Sequence, residues 1–334
     1  MPDTAIQPIC RRTFDARQLV AEYPPRLQNS NKSIVYRIAC PPGCTHGGRL
    51  VFSRWRAQDL PRTTHSEGQR TEFLIREDAF DYEPAREDGG EVHWYLNFAD
   101  QHLFCAYGGP LFAQDEMQVA EHPVLGSLRE ALLHSDIEPQ TVEDGKPTPV
   151  IIMGAERRCR VDTEPNASEG RPFGLYGNEF AQAKPEAIEQ ATTPIVPPTT
   201  TNLIAMEAPS YGTGAYTLAE ITYILRTAFT GFSAARDESV RERAHRPDIV
   251  IHTGFWGCGA YGGNRVLMTL LQLLAARLSG VDRLVFHTRG GSEAPATALR
   301  ILDDLLSGHM PLHLPSLLAA IQAMELQWGV SDGN

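Results

Sequence analysis

Five glycines fall within the twelve residues HTGFWGCGAYGG, His252 to Gly263, directly after the apolar run DIVIH and directly before a run of helical period. Glycine there removes the side chains that keep a ligand off the backbone. Successive N–H groups can then line a concave anion site, to which the following helix adds its partial positive end. A diphosphate suits such a nest. Two familiar phosphate loops are excluded: the run does not end in Gly-Lys-Ser/Thr, and the acidic residue about 20 positions on, Asp282, begins a strand instead of ending one. The same glycines also suit a tight strand-to-helix turn that holds nothing, so glycine alone leaves both readings open. Glu116, in LFAQDEMQVA, is an acid among apolar neighbours, where burial raises a carboxyl pKa; as part of QDEMQ it is equally an acid at a helix start. Cys40, Cys44 and His46, in CPPGCTH, have metal-ligand chemistry, but no second pair downstream completes four ligands. A Pro-Gly turn carrying two thiols is preferred, and no metal site is expected. Cys258 and Cys105 read as small buried thiols, Trp256 as core packing and His122 before Pro123 as a turn residue.

The segment TGFWGCGAYGG resembles the diphosphate-binding loop of poly(ADP-ribose) glycohydrolases, T-G-N-W-G-C-G-A-F-G-G, and agrees at nine of eleven positions, departing at Phe255 and Tyr261. The resemblance implies that Gly254, Phe255, Trp256, Gly257, Cys258, Gly259, Ala260, Tyr261 and Gly262 bind substrate, with Tyr261 against the sugar. It runs over roughly residues 85 to 292: NLIAMEA with ITYILRTAFTGF is similar to the family's IVAIDAL strand and its helix, and RLVFHTRGG to its last strand. The second family hallmark is a glycine triplet followed by Gln-Glu-Glu. Matching NFAD to the family's DFAN without gaps puts Gln114, Asp115 and Glu116 on Gln-Glu-Glu, and His122-Pro123 on Asn-Pro. Glu116 then stands at the catalytic glutamate and Asp115 at its acidic neighbour. The same match places Phe104, Cys105 and Ala106 on the three glycines, with Gly108 and Gly109 as the nearest glycines able to supply an equivalent approach. By the same resemblance Asn97 and Asp100 fall near adenine and ribose with their types interchanged, and Glu87 or Asp88 lies where an acid contacts adenine. Tyr176, in FGLYGNEF, takes the place of a tyrosine folded over the ligand, and Arg289, in HTRGG, that of an aromatic stacked on adenine; a guanidinium plane can stack there too.

What this implies is a hydrolase of the ribose glycosidic bond of an ADP-ribosyl group, with Glu116 as acid and then base, and with no metal or cofactor. The replaced triplet and the aspartate at 115 motivate an alternative, a binding module that holds ADP-ribose without cleaving it. A nucleotide-dependent transferase is a third reading, and would prefer ATP or NAD.

The elements that must position these residues are legible in part. Strands are expected at SIVYRIAC (33–40), RLVFSRW (49–55), TEFLIRE (71–77) and EVHWYLNFA (91–99), then two short helices meeting at Pro123, and a buried strand at TPVIIMGAE. Residues 156 to about 200 read as a long polar loop. From 202 on, strands NLIAMEA, DIVIHTG and RLVFHT alternate with helices, which implies parallel strands covered on both faces, and PSLLAAIQAMELQWG reads as a last helix. With the resemblance, the expected fold is α/β: a macrodomain-like three-layer α/β/α arrangement with a mixed central sheet over residues 85–330. A β-rich N-terminal extension, residues 1–84, packs on that core.

Composition sets outer limits. The 334 residues are 42% apolar, enough for a substantial core, and the net charge of −11 argues against binding nucleic acid over a broad surface. No run of 18 apolar residues and no secretory leader is seen, so no membrane association and a cytoplasmic location are expected. Six cysteines in a chain of this length read as reduced thiols.

Overall fold

Apolar side chains alternate along the strands and recur every three or four residues along the helices, and this patterning divides the chain into its elements. The structure, a computed structural model, describes residues 7–64, 71–83, 90–241, 243, 245–307 and 312–333. In chain order β1 (Cys10–Asp15), α1 (Ala16–Glu22), α2 (Ser30–Ala39), β2 (Arg49–Arg54), β3 (Glu72–Arg76) and β4 (Glu91–Phe98) precede α3 (Gln114–Glu121) and α4 (Val124–Leu133). A small hairpin of β5 (Val142–Glu143) and β6 (Lys146–Pro147) leads to β7 (Val150–Val161), α5 (Glu179–Gln182), α6 (Pro185–Ala191) and β8 (Thr192–Met206). Then come α7 (Leu218–Arg241), β9 (Asp248–Thr253), α8 (Arg265–Ser279), β10 (Arg283–His287), α9 (Glu293–Leu305) and α10 (Leu314–Gln322).

Eight strands form one mixed sheet in the order β1-β2-β7-β8-β4-β9-β10-β3. The five from β8 to β3 are parallel, and β1, β2 and β7 are antiparallel to their neighbours. The strands before residue 84 thus lie in the central sheet itself, β1 and β2 at one edge and β3 at the other, with α1 and α2 among them. In β4, Val92, Trp94 and Leu96 face a core shared with α7, α8, α9 and α10, while Tyr95 faces a second core with α1, α3 and α4. Helices therefore cover both faces, as expected of the three-layer α/β/α fold. A third cluster joins α2, α5 and α6 to the far end of β7. No helix among the described residues is long and apolar enough to cross a membrane.

Two elements differ from expectation. The strand expected over 33–40 is the end of α2. The Asn29 side chain accepts the N–H groups of Asn31 and Lys32, and Ile34, Val35, Ile38 and Ala39 then fall on one helical face of the third cluster. The long loop expected from 156 to about 200 is strand at both ends, where β7 continues to Val161 and pairs with β8 as far as Val161↔Thr192 with two register shifts on the way, and residues 162–191 between them hold α5 and α6.

On the α3 face of the sheet, one histidine from each of three adjacent strands joins a row. His93 Nδ1 is 2.9 Å from His252 Nε2, and His252 Nδ1 is 3.0 Å from His287 Nε2. Glu91 and Asp78 close the ends at 3.3 and 2.8 Å. Burial, helped by its two histidine neighbours, pushes His252 down to about 2. That lies below the ordinary 6.5, so its contribution to stability is complete above pH 6.5 and is lost as the pH falls toward 2. In urea unfolding, native protein should lose stability relative to His252→Asn by about 1.4 kcal/mol per pH unit below roughly pH 6. Parallel curves for the two proteins would exclude a neutral buried imidazole.

Candidate functional site

Helix α3 starts against the carboxyl end of β4, where ligands bind in sheets of this kind. Gln114 joins the two: its Oε1 accepts the Phe98 N–H at 2.8 Å and its Nε2 donates to Leu96 O at 2.9 Å. Asn97, fully buried in β4, donates from Nδ2 to Asp115 Oδ1 at 3.0 Å and to Gln118 Oε1 at 2.9 Å. Seated in this way, the first turn of α3 carries Asp115 and Glu116 inward, at 7% and 4% exposure. Glu116 Oε2 accepts the Ala113 N–H at 3.0 Å, so the helix-start role expected of this acid is present as well.

Both carboxyls are held above the usual carboxylate range, first by burial. The charge of Glu116 adds to this at Asp115, and that of Asp100 adds at both. The opposing charge is Lys32, from α2, which is 2% exposed and donates from Nζ to Ala106 O at 3.2 Å. Burial pushes its amine down to about 8 against the pull of Glu116 and Asp115. One ammonium thus serves two buried acids, an arrangement in which one of the pair keeps its proton near neutral pH.

Across from α3 lies the glycine-rich loop between β9 and α8. Trp256 is buried and its indole donates to Met206 O at 3.0 Å, so only its backbone is left to meet a ligand. Gly257 has φ of 73° and a Cβ there would stand 2.5 Å from Ala208 Cβ, which makes glycine a packing requirement at that position. Gly263 N–H returns to Gly257 O at 2.8 Å, and Gly262 N–H to Gly259 O at 3.0 Å. Among the described residues the N–H groups of Gly259, Ala260 and Tyr261 have no hydrogen-bond partner. Asn264 caps α8 directly behind them, accepting from Val266 N and Leu267 N at 3.1 Å. A run of free amides at a helix start is the donor set an anion needs.

Asp100 links the two halves. Its Oδ2 accepts the Tyr261 hydroxyl at 3.2 Å, and its charge acts on Asp115 and Glu116. Tyr176 is placed between them: burial, then Asp332 and more weakly Glu116, pushes its hydroxyl up, while Arg289 opposes. The Arg289 guanidinium is 5.9 Å from the Tyr176 ring and bonds Glu164 Oε1 at 2.6 Å and Thr163 Oγ1 at 3.2 Å. Phe255 packs edge-on to Phe286 and takes the Arg265 guanidinium over its ring at 4.5 Å. Asn97 is turned into the interior as the partner of Asp115. Burial pushes the Cys258 thiol up to about 12, which leaves it without thiolate character. Glu87 and Asp88 lie outside the described residues.

At the replaced triplet, Phe104 has φ of 55°, the left-handed region that glycine adopts freely, and its ring is fully buried. The backbone there keeps a glycine-like path with the side chain turned into the core. Gly108 is not a substitute for that approach, because its carbonyl accepts the N–H groups of Gln28 and Asn29, both at 3.0 Å, and a Cβ there would meet Arg26 O. The other pattern singled out, Cys40 with His46, does come together: Sγ is 3.6 Å from Nε2, and Glu156 is 3.0 Å from Nδ1. Among the described residues, however, no group of three His, Cys, Asp or Glu is arranged to hold a metal ion.

Sequence reasoning missed Lys32, Glu207 and Asp332. Glu207, which burial and Asp100 push up to about 7, had a usable signal as an acid at the carboxyl end of a parallel strand. Lys32 and Asp332 had none, since only the tertiary fold brings them here.

A carboxyl whose folded pKa is raised contributes stability below its unfolded value and loses it as pH rises. Glu116→Gln should therefore raise Tm by about 2 °C at pH 7.5 and by less at pH 5, read by calorimetry. A lowered Tm at pH 7.5 would mean that the helix-start hydrogen bond outweighs the cost of burying the charge.

Part of the chain matches a known family. The family described as Poly (ADP-ribose) glycohydrolase (PARG), Macro domain fold, matches residues 150–295, a span that holds the glycine-rich loop and begins after Glu116. Among solved structures, the poly(ADP-ribose) glycohydrolase of Thermomonospora curvata is 17% identical at a TM-score of 0.45, covering 85% of this chain and 98% of that one. The Deinococcus radiodurans enzyme in complex with ADP-ribose is 13% identical at a TM-score of 0.40, covering 92% and 99%. Over residues 150–295 the chain thus matches the poly(ADP-ribose) glycohydrolase family with its macro domain fold.

Proposed function

We propose that the protein hydrolyses the ribose glycosidic bond of an ADP-ribosyl group, in poly(ADP-ribose) or a related ADP-ribosylated substrate. The observation that carries this reading is the buried Asp115–Glu116 pair with its single lysine, across from the free amides of residues 259–261. The amides and the start of α8 hold the diphosphate, and Tyr261 packs beside the sugar; holding the ribose in this way lowers the barrier by orientation alone. Glu116 gives its proton to the leaving oxygen as the bond from the anomeric carbon to that oxygen breaks. A water molecule then attacks the anomeric carbon and returns a proton to the Glu116 carboxylate. Asp115, fixed by Asn97, keeps the pair from ionising together, and Lys32 stabilises the carboxylate form that exists between the two steps.

The Cys105 and Ala106 side chains, where the family pattern has glycine, favour a second reading, a module that binds ADP-ribose without turnover. The two are separated by incubating purified protein with poly(ADP-ribose) and with mono-ADP-ribosylated protein and measuring released ADP-ribose. Native protein is expected to turn over at least one of them, and Glu116→Gln to lose about 10³-fold in kcat while binding ADP-ribose within about threefold of native. Tight binding by native protein with no release from either substrate would establish the reader.

Removing the cation disfavours the carboxylates, so the acid keeps its proton to higher pH. In Lys32→Met the basic limb of the pH–rate profile should move up by about one pH unit, with a lower maximum. A lower maximum with an unmoved limb would leave Lys32 only the loop contact at Ala106.

A further inference from the structure

Residues 327–333 run across the glycine-rich loop. Trp328 stacks on Tyr216 with ring centroids 4.2 Å apart, its backbone N–H donates to Gly214 O at 2.9 Å, and Asn264 Nδ2 donates to Gln327 O at 2.8 Å. Beyond this anchor the chain lies directly on the loop: Gly329 N–H donates to Gly262 O at 2.8 Å and Asp332 N–H reaches Gly259 O at 3.4 Å. The Asp332 carboxylate follows. Its Oδ2 lies 3.0 Å from where a Cβ on Gly259 would stand, and from the other side its charge acts on Tyr176. The carboxylate therefore lies against Gly259, on the loop that carries the free amides of residues 259–261.

The two parts of this segment are held very differently. Trp328 has an aromatic partner and backbone bonds, whereas Val330 is 92% exposed and residues 331–333 are exposed as well. The tip adds little buried apolar area and a small number of hydrogen bonds, so it can lift while the anchor stays.

We propose that residues 330–333 are a displaceable strap that holds the Asp332 carboxylate where a ligand diphosphate would bind, so that such a ligand must move the strap aside. This rests on the reading of the loop as a diphosphate site. A carboxylate held against the loop repels an incoming diphosphate, so the strap lowers affinity for any anion. It thereby favours ligands whose contacts beyond the diphosphate supply the displacement. Among the groups facing Asp332 are the Gly259 backbone, Tyr176 and, through that ring, Arg289 and Glu116.

The test compares native protein with Asp332→Ala and with a chain lacking residues 330–334, measuring ADP-ribose, inorganic pyrophosphate and adenosine by calorimetry. Both variants should bind ADP-ribose and pyrophosphate about five- to tenfold more tightly than native protein, with adenosine unchanged within twofold. Backbone hydrogen exchange at 330–333 in native protein should rise on saturation with ADP-ribose. The strap is overturned if native protein and both variants bind ADP-ribose equally, or if ADP-ribose protects 330–333. If none of the three proteins binds ADP-ribose or pyrophosphate, the strap and the proposed function fall together. Binding by the variants alone supports both.

Discussion

Gln114, Gln118 and Asn97 exchange hydrogen bonds between the first turns of α3 and the last residues of β4, and this exchange decides where the acids go. The backbone of Leu96 and Phe98 at that strand end has polar groups that must be satisfied once buried. A side-chain amide can accept and donate at once, as Gln114 does with Phe98 N–H and Leu96 O. Pinning Gln114 there leaves Asp115 and Glu116 no choice but the interior. Without that seat the sequence QDEMQ would begin an ordinary surface helix, with its acids in water and their pKa values near normal.

Burying two acids side by side costs stability, and the fold offsets it only in part, with one Asn97 amide, one Ala113 N–H and one lysine. Fully satisfying both would fix both as carboxylates and remove the proton. The lysine comes from α2, which ties the N-terminal segment to the site: its amine reaches Ala106, and Gly108 O receives the N–H groups of Gln28 and Asn29. The N-terminal residues thus brace the segment between β4 and α3 from behind. That bracing also accounts for Phe104, whose ring fills the core while its backbone follows the path of a glycine.

The β/α alternation after residue 202 was legible because parallel strands buried on both faces leave short apolar runs, and the intervening helices leave long ones. The same logic fails earlier. Ile34, Val35 and Ile38 are β-branched, which suggests a strand, yet their spacing also fits a helix, and the Asn29 cap decides for the helix. The hairpin of β7 and β8 was hidden because its outer half is polar and carries prolines, with Cys159↔Pro194 as a pair, and proline argues against a strand read in isolation. Of the site, Gln114, Asp115, Glu116 and the loop were legible as local patterns. Lys32, Glu207 and Asp332 were not, because each reaches the site from a distant segment and carries no local mark.

The glycines of the loop turn out to serve two different ends. Gly257 is required by the close approach of Ala208, and Gly263 because a Cβ there would stand 2.6 Å from Gly257 O, so a loop with no ligand would need both. Packing makes no such demand on the backbone amides of residues 259–261, which it leaves without partners. Unpaired amides are costly when shielded from water, and a fold under no other constraint would be expected to turn them outward or pair them. Here the Asp332 carboxylate lies 3.0 Å from where a Cβ on Gly259 would stand. Packing explains the glycines around these donors without explaining the donors themselves.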